Sequence, residues 1–129
     1  MRYVDPTTAI EFLTKGLGFV LHARFDDPRG NVMHAELFRG NGIIMVGPHP
    51  ADGESGADLK PGISSTCIIV DGDSDVDAVF TCAVTHGATA LPGREPKDMP
   101  YGGRSASICD LDGHLWHIGS YKPQPTALS

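Results

Sequence analysis

Hydrophobic and polar positions along this chain run through the same pattern twice. Arg2-Tyr3-Val4 reads as a short strand, and Asp5-Pro6 then supplies an N-cap acceptor followed by proline at the first helical position, where its missing N–H costs nothing. Ala9, Ile10, Phe12, Leu13 and Leu17 recur at helical spacing, so a helix of about three turns carries one apolar face, and Gly16 and Gly18 end it. Phe19 to Phe25 alternates. That places Phe19, Leu21, Ala23 and Phe25 on one side of a strand, with Val20, His22 and Arg24 on the other. The turn-forming stretch Asp26 to Asn31 leads into Val32 to Phe38, where Met33, Ala35 and Leu37 share one face and Val32, His34, Glu36 and Phe38 the other. Asn41-Gly42 predicts a tight hairpin into Ile43 to Val46.

Residues 47–62 break the pattern with Gly, Pro, Asp, Ser and Ala, and a connection of that length reads as a functional lid or a flexible linker. The pattern then restarts. Ser65 to Val70 reads as a buried strand; Asp73 or Ser74 caps a helix on which Val76, Val79, Phe80, Ala83 and Val84 keep helical spacing until Gly87. Ala88 to Leu91 is a short strand and Pro92 to Gly103 a loop, before two alternating runs flank Asp112-Gly113, a dipeptide suited to a tight hairpin. The order is βαβββ, a linker, then βαβββ. Asp5 and Asp71, Gly18 and Gly87, and Gly42 and Gly113 correspond at offsets of 66, 69 and 71 residues, which is an internal repeat. Each half covers one sheet face with its helix and leaves the other to curve around a cavity. The expected fold is therefore α+β. Two βαβββ modules, residues 1–46 and 63–121, pair into a cupped, half-barrel mixed sheet with helices on the outer face, and the tail 122–129 is loosely held.

At 129 residues the chain suits a single domain with a core of its own. No apolar run approaches the ~20 residues needed to cross a bilayer, and Met1 to Pro6 lacks the basic start and apolar stretch of a signal peptide, so a cytoplasmic protein is expected. Ten Lys and Arg against 16 Asp and Glu give a net charge of −6, and the cations are scattered singly. That leaves no electrostatic footprint for nucleic acid or an anionic membrane. Cys67, Cys82 and Cys109 are odd in number, far apart and set in apolar or small-residue runs, so they read as buried, reduced thiols. No Gly-x-Ser-x-Gly elbow, P-loop, dinucleotide fingerprint or zinc-type cysteine pair occurs.

Candidate chemistry concentrates on the closing hairpin, Met99 to Ile118, where Tyr101, Arg104, His114, Trp116 and His117 are denser than a core requires. Its pattern Tyr-Gly-x-Arg, a strand, then Asp-x-Asp-Gly-His-x-Trp resembles the vicinal oxygen chelate superfamily of glyoxalases, bleomycin-resistance proteins and extradiol dioxygenases, and more narrowly its PhnB-like branch. Leu111 replaces the Pro usual in that turn. Tyr-Val-Asp-Pro, Ala-Ile-x-Phe-Leu, His-Ala-Glu-Leu and Gly-Asn-Gly-Ile-Ile-Met extend the resemblance over all but the tail.

The resemblance implies a divalent ion held by four side chains, two per module, at places that fall on Tyr3, Met45, Ser65 or Thr66, and His117, or their neighbours. Only His117 is a ligand of the required kind, so the inherited site reads as lost and no cofactor is expected. The alternative sets His34, Glu36 and His117 around Zn, Ni or Fe. Tyr101 offers an aromatic wall and Arg104 a planar cation, with holding the loop as the alternative role for both, and Trp116 reads as core more than as a ligand platform; with His117, His34 and Glu36 these three form the expected ligand-binding set. Asp110 and Asp112 read as backbone binders, and His22, His49 and His86 as surface residues. The first functional expectation is a homodimeric protein that binds a small amphipathic molecule in the cup without metal. Its alternatives are a metal-dependent lyase, isomerase or dioxygenase, and an enzyme with His117 or Glu36 as base beside Arg104.

Overall fold

The structure is a computed structural model that describes residues 1–49 and 60–123. Most of the linker and of the tail, residues 50–59 and 124–129, lies outside the described residues. The elements are β1 (Arg2–Tyr3), α1 (Pro6–Lys15), β2 (Val20–Asp26), β3 (Val32–Arg39), β4 (Gly42–Pro48), β5 (Ser65–Ile69), α2 (Asp73–Thr85), β6 (Thr89–Ala90), β7 (Lys97–Asp98), β8 (Arg104–Cys109) and β9 (Leu115–Gly119). Sheet one runs β1-β4-β3-β2, and sheet two runs β5-β9-β8-β6 with β7 paired to β8. In each, the strand before the helix lies parallel to the last strand, and the remaining ladders are antiparallel. A helical crossover returns the chain parallel whereas short turns return it antiparallel, so the repeated order dictates two mixed sheets. This is the α+β architecture expected, and the two sheets do not close into a barrel.

Asp5 caps α1, its carboxylate accepting from the Thr8 N–H at 3.2 Å. The cap of α2 falls one residue earlier than expected. Gly72 holds the N-cap and donates its N–H to the Asp75 carboxylate at 2.9 Å, while Asp73 accepts from the Ser120 hydroxyl at 2.6 Å. Helix α1 packs on β1, β2 and β4, α2 packs on β8 and β9, and the helices touch each other. Both modules meet in one core. Phe19 approaches Trp116 edge-on with ring centroids 5.7 Å apart, and the buried Tyr3 hydroxyl donates to Asp110 at 2.6 Å.

Local geometry departs from strict alternation in several places. A register shift between Leu21 and Ala23 makes β2 bulge at His22, so Leu21 stays opposite Leu37 while Phe25 moves opposite His34 on the open face. A second shift brings Val32 opposite Asp26, and Val32 is buried while Met33 is exposed. The β3–β4 turn is centred on Gly40-Asn41, not Asn41-Gly42, because Arg39 pairs with Gly42 and Gly40 supplies the positive φ of 58° at the first turn position. The second hairpin is wider than the tight turn expected: Cys109 pairs with Leu115, which leaves Asp110 to His114 in the loop. Strand β5 is not buried throughout; Ile68 is buried, Thr66 on the same face is half-buried, and Ser65, Cys67 and Ile69 are exposed. The 92–103 loop contains β7. The cysteines are not buried either: Cys67 is exposed, and Cys82 and Cys109 are half-buried.

Candidate functional site

Alternation along β3, β4 and β2 leaves the face of sheet one opposite its core open, with His34, Glu36, Phe38, Ile43, Met45 and Phe25 on it. His34 Nε2 lies 2.9 Å from Glu36 Oε2, and the Phe25 ring lies 5.8 Å from the imidazole. On the corresponding face of sheet two, His117 is held between two hydroxyls, Nδ1 at 2.8 Å from Ser107 Oγ and Nε2 at 3.2 Å from Ser65 Oγ. Cys67 is its register partner across the β5–β9 ladder, and partial burial raises the Cys67 thiol pKa above its ordinary value, which disfavours a reactive thiolate.

Between the modules, the β3–β4 turn and β5 enclose a groove of about 380 Å³. Phe19, Ile43, Ile44, Ile68 and Ile69 supply its apolar walls, and Arg39, Thr66 and Cys67 bring polar groups to it. Arg39 belongs to the core-side parity of β3 but sits beyond the core, where its Nε donates to the Leu17 carbonyl at 2.9 Å just past the end of α1. Its side chain also lines an adjoining cavity of about 410 Å³ that continues to Asp71, Asp75, Ala78 and Val79.

The structure separates the residues that the sequence grouped. Trp116 is fully buried and its indole N–H donates to Asp110 at 3.0 Å, so it offers no face to a ligand. Arg104 shares the parity of Ala106 and Ile108, toward α2. Its Nε and Nη2 grip Asp77 at 2.9 and 3.0 Å and its Nη1 reaches Asp98 at 3.2 Å, so it staples β8 to the helix instead of awaiting an anion. The Asp77 hydrogen bond is the main cause of its raised pKa. Tyr101 is exposed and stacks edge-on against Tyr121, with centroids 5.1 Å apart. His34 and Glu36 stay together on sheet one, whereas His117 lies on sheet two with its serines. His114 is a structural clasp: Nε2–H donates to the Arg2 carbonyl at 2.7 Å, and Nδ1 accepts from Ser64 Oγ at 2.7 Å. His22, His49 and His86 are exposed, as expected.

The places that the resemblance assigns to a metal carry side chains already committed elsewhere or poor as ligands. Burial, reinforced by the Asp110 carboxylate, pushes the Tyr3 phenol far above its ordinary pKa and keeps it a hydrogen-bond donor. Met45 is an exposed thioether, and the Ser65 hydroxyl is bonded to His117. Among the described residues no three His, Cys, Asp or Glu side chains are grouped so as to hold an ion. This donor set does not fit a hard or borderline divalent cation, which needs several N, O or thiolate ligands at fixed geometry.

Two duplicated βαβββ modules, a helix on each and a groove at their junction define the class. Residues 1–118 match the Glyoxalase/Bleomycin resistance protein/Dioxygenase superfamily, and the chain belongs to it. Among solved structures it is similar to TioX from Micromonospora sp. ML1, with 30% identity over 93% of each chain and a TM-score of 0.71. A glyoxalase-related enzyme from Fulvimarina pelagi shares the fold at 19% identity, with 94% of this chain and 85% of that chain covered and a TM-score of 0.72. So does a glyoxalase/bleomycin resistance protein/dioxygenase family enzyme from Burkholderia phytofirmans PsJN, at 19% identity over 93% of each chain and a TM-score of 0.72. No curated protein matches the sequence. Among the described residues no helix is long and apolar enough to cross a membrane.

Proposed function

We propose that this chain is a PhnB-like member of its superfamily that binds a small amphipathic organic molecule in the groove between its modules, without a resident metal and as a homodimer. The observation that carries the reading is the groove itself. At about 380 Å³ it falls within the size range of small-molecule sites, and its lining is mostly aliphatic with a few polar groups, the usual balance of such sites. The absence of a fitting donor set among the described residues supports binding without metal over a lyase or dioxygenase chemistry routed through one.

The homodimer rests on the open face of sheet one. Phe25, Ile43 and Met45 are 59%, 68% and 59% exposed there, on β2 and β4 either side of β3, and they give the face an apolar surface that a second copy would cover by two-fold pairing.

Binding is tested by thermal shift with aromatic acids, antibiotics, thiol conjugates and divalent ions, followed by fluorescence of Trp116, the chain's single tryptophan. Phe19 lines the groove and touches Trp116, so a molecule seated there should both raise the melting point and change the emission. Stabilisation by Zn, Ni or Fe and by no organic compound would overturn the proposal.

A further inference from the structure

We propose that Arg39 makes the groove selective for amphipathic monocarboxylates, its guanidinium receiving the head group while Phe19, Ile43, Ile44 and Ile68 hold the apolar body. This inference rests on the groove being a ligand site and adds the chemistry of what it takes. Arg39 is half-buried, and its Nε is fixed on the Leu17 carbonyl at 2.9 Å, which aims the planar fork without using its two Nη groups. It has no ion-pair partner among the described residues, unlike Arg104 with Asp77 and Asp98 and Arg24 with Asp26. A half-buried guanidinium that forms no ion pair at the edge of an aliphatic groove is complementary to a carboxylate, which accepts two parallel N–H bonds in the plane of the fork.

The acids of the adjoining cavity keep their negative charge and bond elsewhere than to Arg39. Asp71 receives Lys122 Nζ at 3.1 Å and Asp75 receives the Gly72 N–H at 2.9 Å. They line the far cavity beyond Arg39, so a ligand carrying a second negative charge in that direction is opposed. One charge, at one end, is what this arrangement accepts.

The experiment compares 2-naphthoate with its neutral isostere 2-naphthamide by isothermal calorimetry and Trp116 emission, on the wild type, Arg39→Gln, Arg39→Lys and Arg104→Gln. A charge-assisted hydrogen bond to Arg39 should make the carboxylate about ten- to a hundredfold tighter than the amide in the wild type. That ratio should fall toward one in Arg39→Gln, fall partway in Arg39→Lys, which keeps the charge and loses the fork, and persist in Arg104→Gln. A purely structural role for Arg39 at the end of α1 would weaken both probes together and leave their ratio intact, which overturns the inference. So does equal binding of the two probes by the wild type. Binding of neither probe overturns the groove reading as well. Should Arg39→Gln fail to fold, the wild-type ratio decides together with its salt dependence: added salt should weaken the carboxylate and spare the amide.

Discussion

The two modules share one plan and use it differently on their open faces. Module one exposes apolar side chains there, Phe25, Phe38, Ile43 and Met45, around a single His34–Glu36 pair. Module two presents Ser65, Cys67, Ser107 and His117 on the corresponding strands, with the two serines tied to the imidazole by hydroxyl–imidazole bonds. Their hairpins differ in the same sense. The first turns at Gly40-Asn41 in open space, whereas the second folds a carboxylate into the core: Asp110 accepts from Tyr3 Oη, Trp116 Nε1 and the backbone N–H groups of Asp112 and His114. Duplication fixed the frame, and the side chains at equivalent positions then separated an apolar face from a polar one that is internally satisfied.

The comparison breaks most visibly at Asp110. Asp110→Ala should cost about 3–5 kcal/mol by chemical denaturation, because it strands the buried Tyr3 hydroxyl and Trp116 indole together, whereas Asn41→Ala in the other turn should cost under about 1 kcal/mol. Equal losses would deny the asymmetry. Next in size is Gly62→Ala. A Cβ there would lie 2.4 Å from the Asp112 carbonyl at a φ of +81°, so a loss of about 2–4 kcal/mol is expected. Gly40→Ala, at a φ of +58° with no neighbour within 4 Å, should lose only about 1 kcal/mol.

Alkaline pH tests the same latch without a substitution. The Tyr3 pKa is raised in the folded state, so its stabilisation is complete below about pH 10, the ordinary value of a phenol, and is lost as pH rises above it. The unfolding free energy should fall by about 1.4 kcal/mol per pH unit there, and Tyr3→Phe should flatten that limb. His117→Ala should cost about 1–2 kcal/mol by leaving the buried Ser107 hydroxyl without its partner, and should not change the oligomeric state. Smallest in the stability of the single protomer is the double change Phe25→Ser with Ile43→Ser, within about 0.5 kcal/mol at protein concentrations low enough for monomer, where both side chains face solvent. Sedimentation should nevertheless show it shifting dimer to monomer; an unchanged sedimentation profile would remove sheet one's face from the dimer interface.

The fold was readable because its signals are local and repeated. Asp5-Pro6 starts a helix wherever it stands, the spacing of Ala9, Ile10, Phe12 and Leu13 marks one helical face, and a glycine-bearing turn lies between the last two strands of each module. The candidate site was read less well, for a reason that particular residues make plain. Arg104 and Trp116 are chemically suited to a ligand, but strand parity turns both toward the interior, where Asp77 and Asp110 satisfy them first. Alternation in the sequence ends that strand at Phe38 and gives Arg39 no role; β5 and the end of α1 arrive beside it, and no spacing within β3 announces that.

By itself the sequence determined the repeated strand–helix–strand plan, the start of α1 and the family, because those depend on backbone preferences and on which positions prefer to leave water. Only the tertiary structure decided which polar side chains remain available, since a guanidinium or an indole is committed by whatever partner lies within about 3 Å, and that partner is brought by a distant part of the chain. The bulge at His22 shows the same limit on a smaller scale: one extra residue took Phe25 off the side it was expected to share with Leu21 and onto the open face, and a period-two pattern carries no mark of where such a residue sits.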